Sequence, residues 1–167
     1  GCGVSVVAGR PLHAAEGERA SLAPFQREAR HGVTILRANG TRFRPRRFVG
    51  RATNYMTYFA SASLAGLRVG RPDLVVSLTD PPIVGLAALW TARRTGARFV
   101  YLCEDVFPEV AALLEDFRNE TVNRALDRAN RYLLREADAI VALGDRMRRR
   151  LVEEKGAEPS RVRVIHN

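Results

Sequence analysis

Three carboxylates within six residues, Glu104, Asp105 and Glu109 in the stretch YLCEDVFPE, have the type and spacing for acid–base chemistry. An apolar run, Phe99 to Cys103, leads straight into them. A carboxylate at the end of a buried strand can accept a hydrogen bond from a substrate hydroxyl and orient or deprotonate it. Asp105 is the candidate for that task, and Glu104 is expected to point the other way. Glu109 follows Pro108 at a helix start, where an acid is also favoured by the helix dipole by about 0.3–1 kcal/mol. A second stretch, TDPP, presents Thr79 and Asp80 on a loop stiffened by two prolines. Its plain reading is a rigid strand-to-helix connection, and its functional reading is a ligand contact.

A basic stretch, Arg42, Arg44, Arg46 and Arg47 with Phe43 and Phe48 interleaved, admits three readings. The first is a solvated face. The second is contact with a phosphate or an anionic membrane surface into which the phenylalanines dip. The third is single-stranded nucleic acid, but no nucleic-acid-binding module surrounds the stretch, so no nucleic-acid partner is expected. The chain carries +9 net charge, with one lysine, Lys155, among its 27 basic residues. Such a field favours anionic partners.

Several chemistries find no support. Neither the dinucleotide-binding G-x-G-x-x-G nor the phosphate-cradling G-x-x-x-x-G-K-[ST] follows any strand, and no G-x-S-x-G elbow occurs. Cys2 and Cys103 lie far apart and His13, His31 and His166 are scattered, so neither a metal site nor a disulfide framework is expected. No cofactor is implied. Unpaired cysteines and the lack of a leader or membrane-spanning pattern point to the cytoplasm, with peripheral attachment at the inner face of the membrane left open.

The elements that must position these groups alternate. Short apolar runs at VSVVA, VTILRA, LVVSL, RFVYLC, AIVAL and RVRVI predict strands, and longer amphipathic stretches between most of them predict helices. One helix is expected from Phe48 until the GRPD stop, and others over PIVGLAALWTARRTG, from Pro108, over Thr121 to Ala137, and over DRMRRRLVEEKG. The polar stretch from Gly9 to Arg30 reads as a loop. Strands that are apolar throughout and alternate with helices predict an α/β fold, a doubly wound, mostly parallel Rossmann-like sheet with helices on both faces. Ligands of such sheets bind outside the carboxyl ends of the strands, where TDPP and CEDVFPE fall.

The stretches GLRVGRPDLVVSLTDPPIVGLAALWTARRTGARFVYLCEDVFPEVA and READAIVALGDRMRRRLVEEKGAEPSRVRVIHN resemble the amino-terminal domain of family 4 glycosyltransferases, of the kind that builds bacterial surface polysaccharides. That family carries a TSPP-like loop and a C-Q-D-[IV]-[YW]-P-E-like element after successive strands. Asp80 stands here where serine is usual, Glu104 where glutamine is, and Gly144 where serine or threonine commonly follows the strand. These departures leave the acceptor open.

The resemblance implies one half of a two-domain GT-B enzyme that transfers a sugar with retention and without metal. The sugar nucleotide would be a co-substrate, and the acceptor lipid-linked or a glycan. Carried over, Thr79, Asp80, Glu104, Asp105 and Glu109 line the acceptor side, and His166 and Asn167 mark the hinge. Residues 1–167 would form a single acceptor-side domain lacking its first, central strand, with the donor-binding domain beyond Asn167. The fragment alone is then expected to be inactive. The alternative, from another class, is a non-catalytic Rossmann-like binding or regulatory module.

Overall fold

A computed structural model describes residues 2–9, 23–41, 43, 48–81, 83–106 and 120–166. The expected helix from Pro108 and the basic positions Arg42, Arg44, Arg46 and Arg47 lie outside these, as do Glu109 and Asn167. The chain forms two compact units, Gly1–Gly70 and Arg71–Asn167.

Among its described residues, the first unit is a three-stranded sheet with one helix packed on it. Strands β1 (Ser5–Gly9), β2 (Phe25–Arg30) and β3 (Val33–Ala38) are ordered β1-β3-β2. β1 runs parallel to β3, with Ser5 opposite Thr34 and Gly9 opposite Ala38. β2 is antiparallel to β3 and corrects the loop expected through Arg30. Its sequence, FQREAR, shows no apolar alternation because it is an edge strand exposed along almost its whole length. The hairpin turns on His31 and Gly32, at φ 49° and 80°. Two successive positive φ values match the twist of the flanking strands, and histidine tolerates that region better than most residues with a side chain. Helix α1 (Phe48–Gly66) packs on all three strands, burying Ala62 and Ala65 while Leu36 and Ala38 are buried from β3. Ser61 ties helix to sheet: its Oγ accepts the Asn39 N–H at 2.9 Å and donates to the Pro24 carbonyl.

The second unit is parallel throughout. Strands β4 (Leu74–Ser77), β5 (Arg98–Cys103), β6 (Ala139–Ala142) and β7 (Val162–Val164) lie side by side in chain order. Between them run helices α2 (Val84–Thr95), α3 (Glu120–Glu136) and α4 (Asp145–Glu153). Alternate strand residues Phe99, Tyr101, Cys103, Ile140, Ala142 and Val162 join Leu89 of α2, Leu133 and Leu134 of α3 and Leu151 of α4 in one buried cluster. The chain is therefore an α/β protein with a mostly parallel sheet flanked by helices, as its sequence pattern predicts.

Three local devices set this unit's geometry. Gly85 lets α2 approach closely, since a Cβ there would stand 2.6 Å from Leu133 Cδ1 and 3.3 Å from Tyr101 Cε2. Asp138 anchors the start of β5: its Oδ2 accepts the Phe99 N–H at 2.7 Å, and its own N–H donates to the Phe99 carbonyl at 2.9 Å. Lys155, 6% exposed, donates to Asp127 at 2.9 Å, and Arg131 donates to the same carboxylate at 2.6 Å. Burial pushes the Asp127 carboxyl up, but these two cations outweigh it and hold the group below its ordinary range.

Among the described residues, no helix is long and apolar enough to cross a membrane.

Candidate functional site

The candidate site is assembled by two adjacent strands. β4 and β5 run parallel with Ser77 opposite Tyr101, so the residues that follow each emerge at the same edge of the sheet. From β4 come Leu78, Thr79 and Asp80, and from β5 come Glu104 and Asp105. The Asp80–Pro81 peptide is cis.

Thr79 joins the two segments. Its side chain is buried, at 1% exposure, and its Oγ1 accepts the backbone N–H of Glu104 at 3.2 Å and of Asp105 at 3.3 Å. One hydroxyl thus satisfies two backbone donors that have just left the sheet ladder. Thr79, expected to touch an acceptor, spends its oxygen on holding the carboxylate-bearing segment in place. Glu104 stands exposed and Asp105 half-buried. Val106 then turns back into the core at 6% exposure, anchoring the far side of the acidic pair.

Asp80 and Asp105 feel each other. Burial, and after it the negative charge of Asp105, hold the Asp80 carboxyl above its ordinary range. Asp80 nevertheless keeps an exposed face. The pair therefore sets two acidic side chains, one with a raised pKa, at one sheet edge, an arrangement suited to receiving a hydroxyl donor. The floor beneath is inert. Burial pushes the Cys103 thiol up to about 12, so it is not a thiolate nucleophile at neutral pH. Burial, followed by the neighbouring Cys103, raises the Tyr101 hydroxyl as well.

The other site residues fall elsewhere. His166 is exposed just past β7, at the same carboxyl edge but two strands beyond β5 in the order β4-β5-β6-β7. There Ile165 still donates its N–H to the Ala142 carbonyl at 2.9 Å. Among the described residues, no three His, Cys, Asp or Glu side chains gather as a metal site would require.

The structure adds what the sequence did not display. The tie made by Thr79 is a contact between a side chain and a backbone 25 and 26 residues away, which leaves no periodic trace. Asn54 in α1 likewise clamps Phe43, its Oδ1 accepting the Phe43 N–H and its Nδ2 donating to the Phe43 carbonyl, both at 3.0 Å. Phe43 itself stays 56% exposed.

The whole chain, residues 1–167, matches a family model described as a glycosyl transferase 4-like domain. No curated protein matches it.

Proposed function

The chain belongs to the family of glycosyl transferase 4-like domains, and from that premise we propose that it is the acceptor-side half of a retaining glycosyltransferase. In this reading a sugar passes from a nucleotide donor, held by a second Rossmann-like half, to a lipid-linked or glycan acceptor in the building of a cell-surface polysaccharide. The observation that carries it is the pairing of Asp80 with Asp105 at one sheet edge, with Thr79 fixing the segment that bears Asp105.

The acceptor hydroxyl would sit against Asp105. A carboxylate there accepts the hydroxyl's hydrogen bond, points an oxygen lone pair toward the donor carbon, and stabilises the proton as it leaves. Asp80 would bind a second hydroxyl of the acceptor. Its raised pKa keeps a proton on it to higher pH than on an ordinary aspartate. Glu104, exposed at the rim, and Glu109 would make outer contacts with the acceptor. Thr79 acts through Asp105 as a positioning residue, and His166 and Asn167 would form the hinge toward the donor half.

The exposed Phe43, fixed by Asn54 within the basic stretch Arg42 to Arg47, supports contact with an anionic membrane surface carrying a lipid-linked acceptor. Such contact would place the protein at the cytoplasmic face of a membrane.

Turnover of the full-length enzyme carrying Asp105→Asn tests this. The expected result is a fall in kcat of about tenfold or more with donor KM little changed, because the lost interaction strengthens only as the proton moves. Wild-type turnover in a correctly folded variant contradicts the role.

A further inference from the structure

The first unit holds a cavity that the proposed reaction does not use. It measures about 380 Å³ and is lined by Ser5, Phe25, Arg27, Thr34, Leu36, Arg68, Val69 and Gly70. Strand alternation explains the lining. Ser5 pairs with Thr34 and Arg27 with Leu36, so the side chains of Ser5, Thr34, Leu36, Arg27 and Phe25 share one face of the sheet. The segment Arg68 to Gly70, just after α1, supplies the opposite wall. Ser5 and Thr34 lie near the starts of β1 and β3, so the cavity opens toward the amino-terminal ends of the parallel pair.

Its charge is one-sided. Through Gly70 the sequence has eleven arginines against three acids, a net of +8 out of the chain's +9. The only acid among the unit's described residues, Glu28, is taken by Arg37 at 2.7 Å. It also points to the other face of β2 from its neighbour Arg27. Among the described residues, neither Arg27 nor Arg68 has an ion-pair partner and no acid lines the cavity. Two arginines, a serine and a threonine lining one space, with Phe25, Leu36 and Val69 beside them, match a ligand that is anionic at one end and apolar at the other. Guanidinium forks suit phosphate oxygens in particular. The volume sits at the lower end of the roughly 300–1,000 Å³ typical of small-molecule pockets, larger than a bare inorganic ion needs.

We propose that this cavity is a binding site for a small organic phosphate monoester, its phosphate held by Arg27 and Arg68 with the Ser5 and Thr34 hydroxyls, and its apolar body resting on Phe25, Leu36 and Val69. The site shares no residue with the carboxylate pair, and its occupancy does not depend on sugar transfer.

Isothermal titration of the protein with phenyl phosphate, and separately with inorganic phosphate at matched ionic strength, tests this. Phenyl phosphate should bind saturably and about tenfold more tightly than inorganic phosphate, the difference coming from the apolar wall. Arg27→Gln and Arg68→Gln should each weaken phenyl phosphate by about tenfold. Both residues are solvent-exposed, so the variants should fold, and circular dichroism checks that they do. Arg27→Lys and Arg68→Lys should recover part of the affinity, because they keep the charge and lose only the fork. Arg98→Gln, an exposed arginine of the other unit, should bind as wild type does. No saturable binding overturns the proposal. So do equal affinities for the two phosphates, unaltered binding by Arg27→Gln and Arg68→Gln, or equal weakening by Arg98→Gln.

Discussion

In the unit Arg71–Asn167 the buried cluster is built from large side chains, Phe99, Tyr101, Leu133, Leu134, Ile140 and Leu151, each no more than 1% exposed. Among the described residues of Gly1–Gly70 the buried hydrophobic side chains are Leu36, Ala38, Ala62 and Ala65, and a cavity opens beside Leu36. The charges divide in a similar way. Fifteen of the eighteen acids fall after Gly70, while the first unit is strongly cationic. One unit is a densely packed parallel scaffold that ends in carboxylates. The other, among its described residues, is a more lightly filled, basic sheet beside a cavity. The difference shows two ways in which one class of fold presents chemistry: at the strand ends of a stiff core, and in a gap that the core leaves.

The contrast can be broken first at its strongest point. Leu133→Ala should cost about 2–5 kcal/mol, because a fully buried leucine of α3 packed against α2 leaves a void that its close-packed neighbours cannot fill. Leu36→Ala, already beside a cavity, should fall at the lower end of that range, about 2 kcal/mol. Chemical denaturation measures both, and equal losses would erase the distinction between the two cores. Gly85→Ala comes next. Its new methyl meets Leu133 at 2.6 Å, an overpacking that should cost about 1–3 kcal/mol. The two substitutions share one contact, so the combined variant should be more stable than the sum of the two losses predicts. Simple additivity would mean that α2 shifts away instead of pressing on Leu133.

Much of the packed unit was legible in the sequence. RFVYLC and AIVAL become β5 and β6, and the glycine stop of α2 is Gly96, in the left-handed region at φ 73°. Apolar runs in a parallel sheet are long enough to show by themselves, and the helices between them keep a regular face. The looser unit was harder to read. β2 has no apolar face to reveal it, and its signal was the His31–Gly32 turn. Asp80 and Asp105 could be singled out as strand-end acids, but their proximity could not, because it depends on the register of β4 against β5. Arg27 and Arg68 were indistinguishable among 26 arginines, and only the hairpin pairing and the end of α1 bring them to one cavity.

The central claim is that Asp80 and Asp105 share one site, and the titration of Asp80 tests it most directly. A group whose folded pKa is raised binds its proton more tightly in the folded state. Asp80 therefore favours folding at low pH, and that contribution is lost as pH rises through its folded pKa. Carboxyl NMR should show Asp80 titrating above the ordinary aspartate range in the wild-type protein. In Asp105→Asn it should move down without returning to that range, since burial outweighs the charge of Asp105. An Asp80 that titrates normally, or is unmoved by Asp105→Asn, would contradict the account.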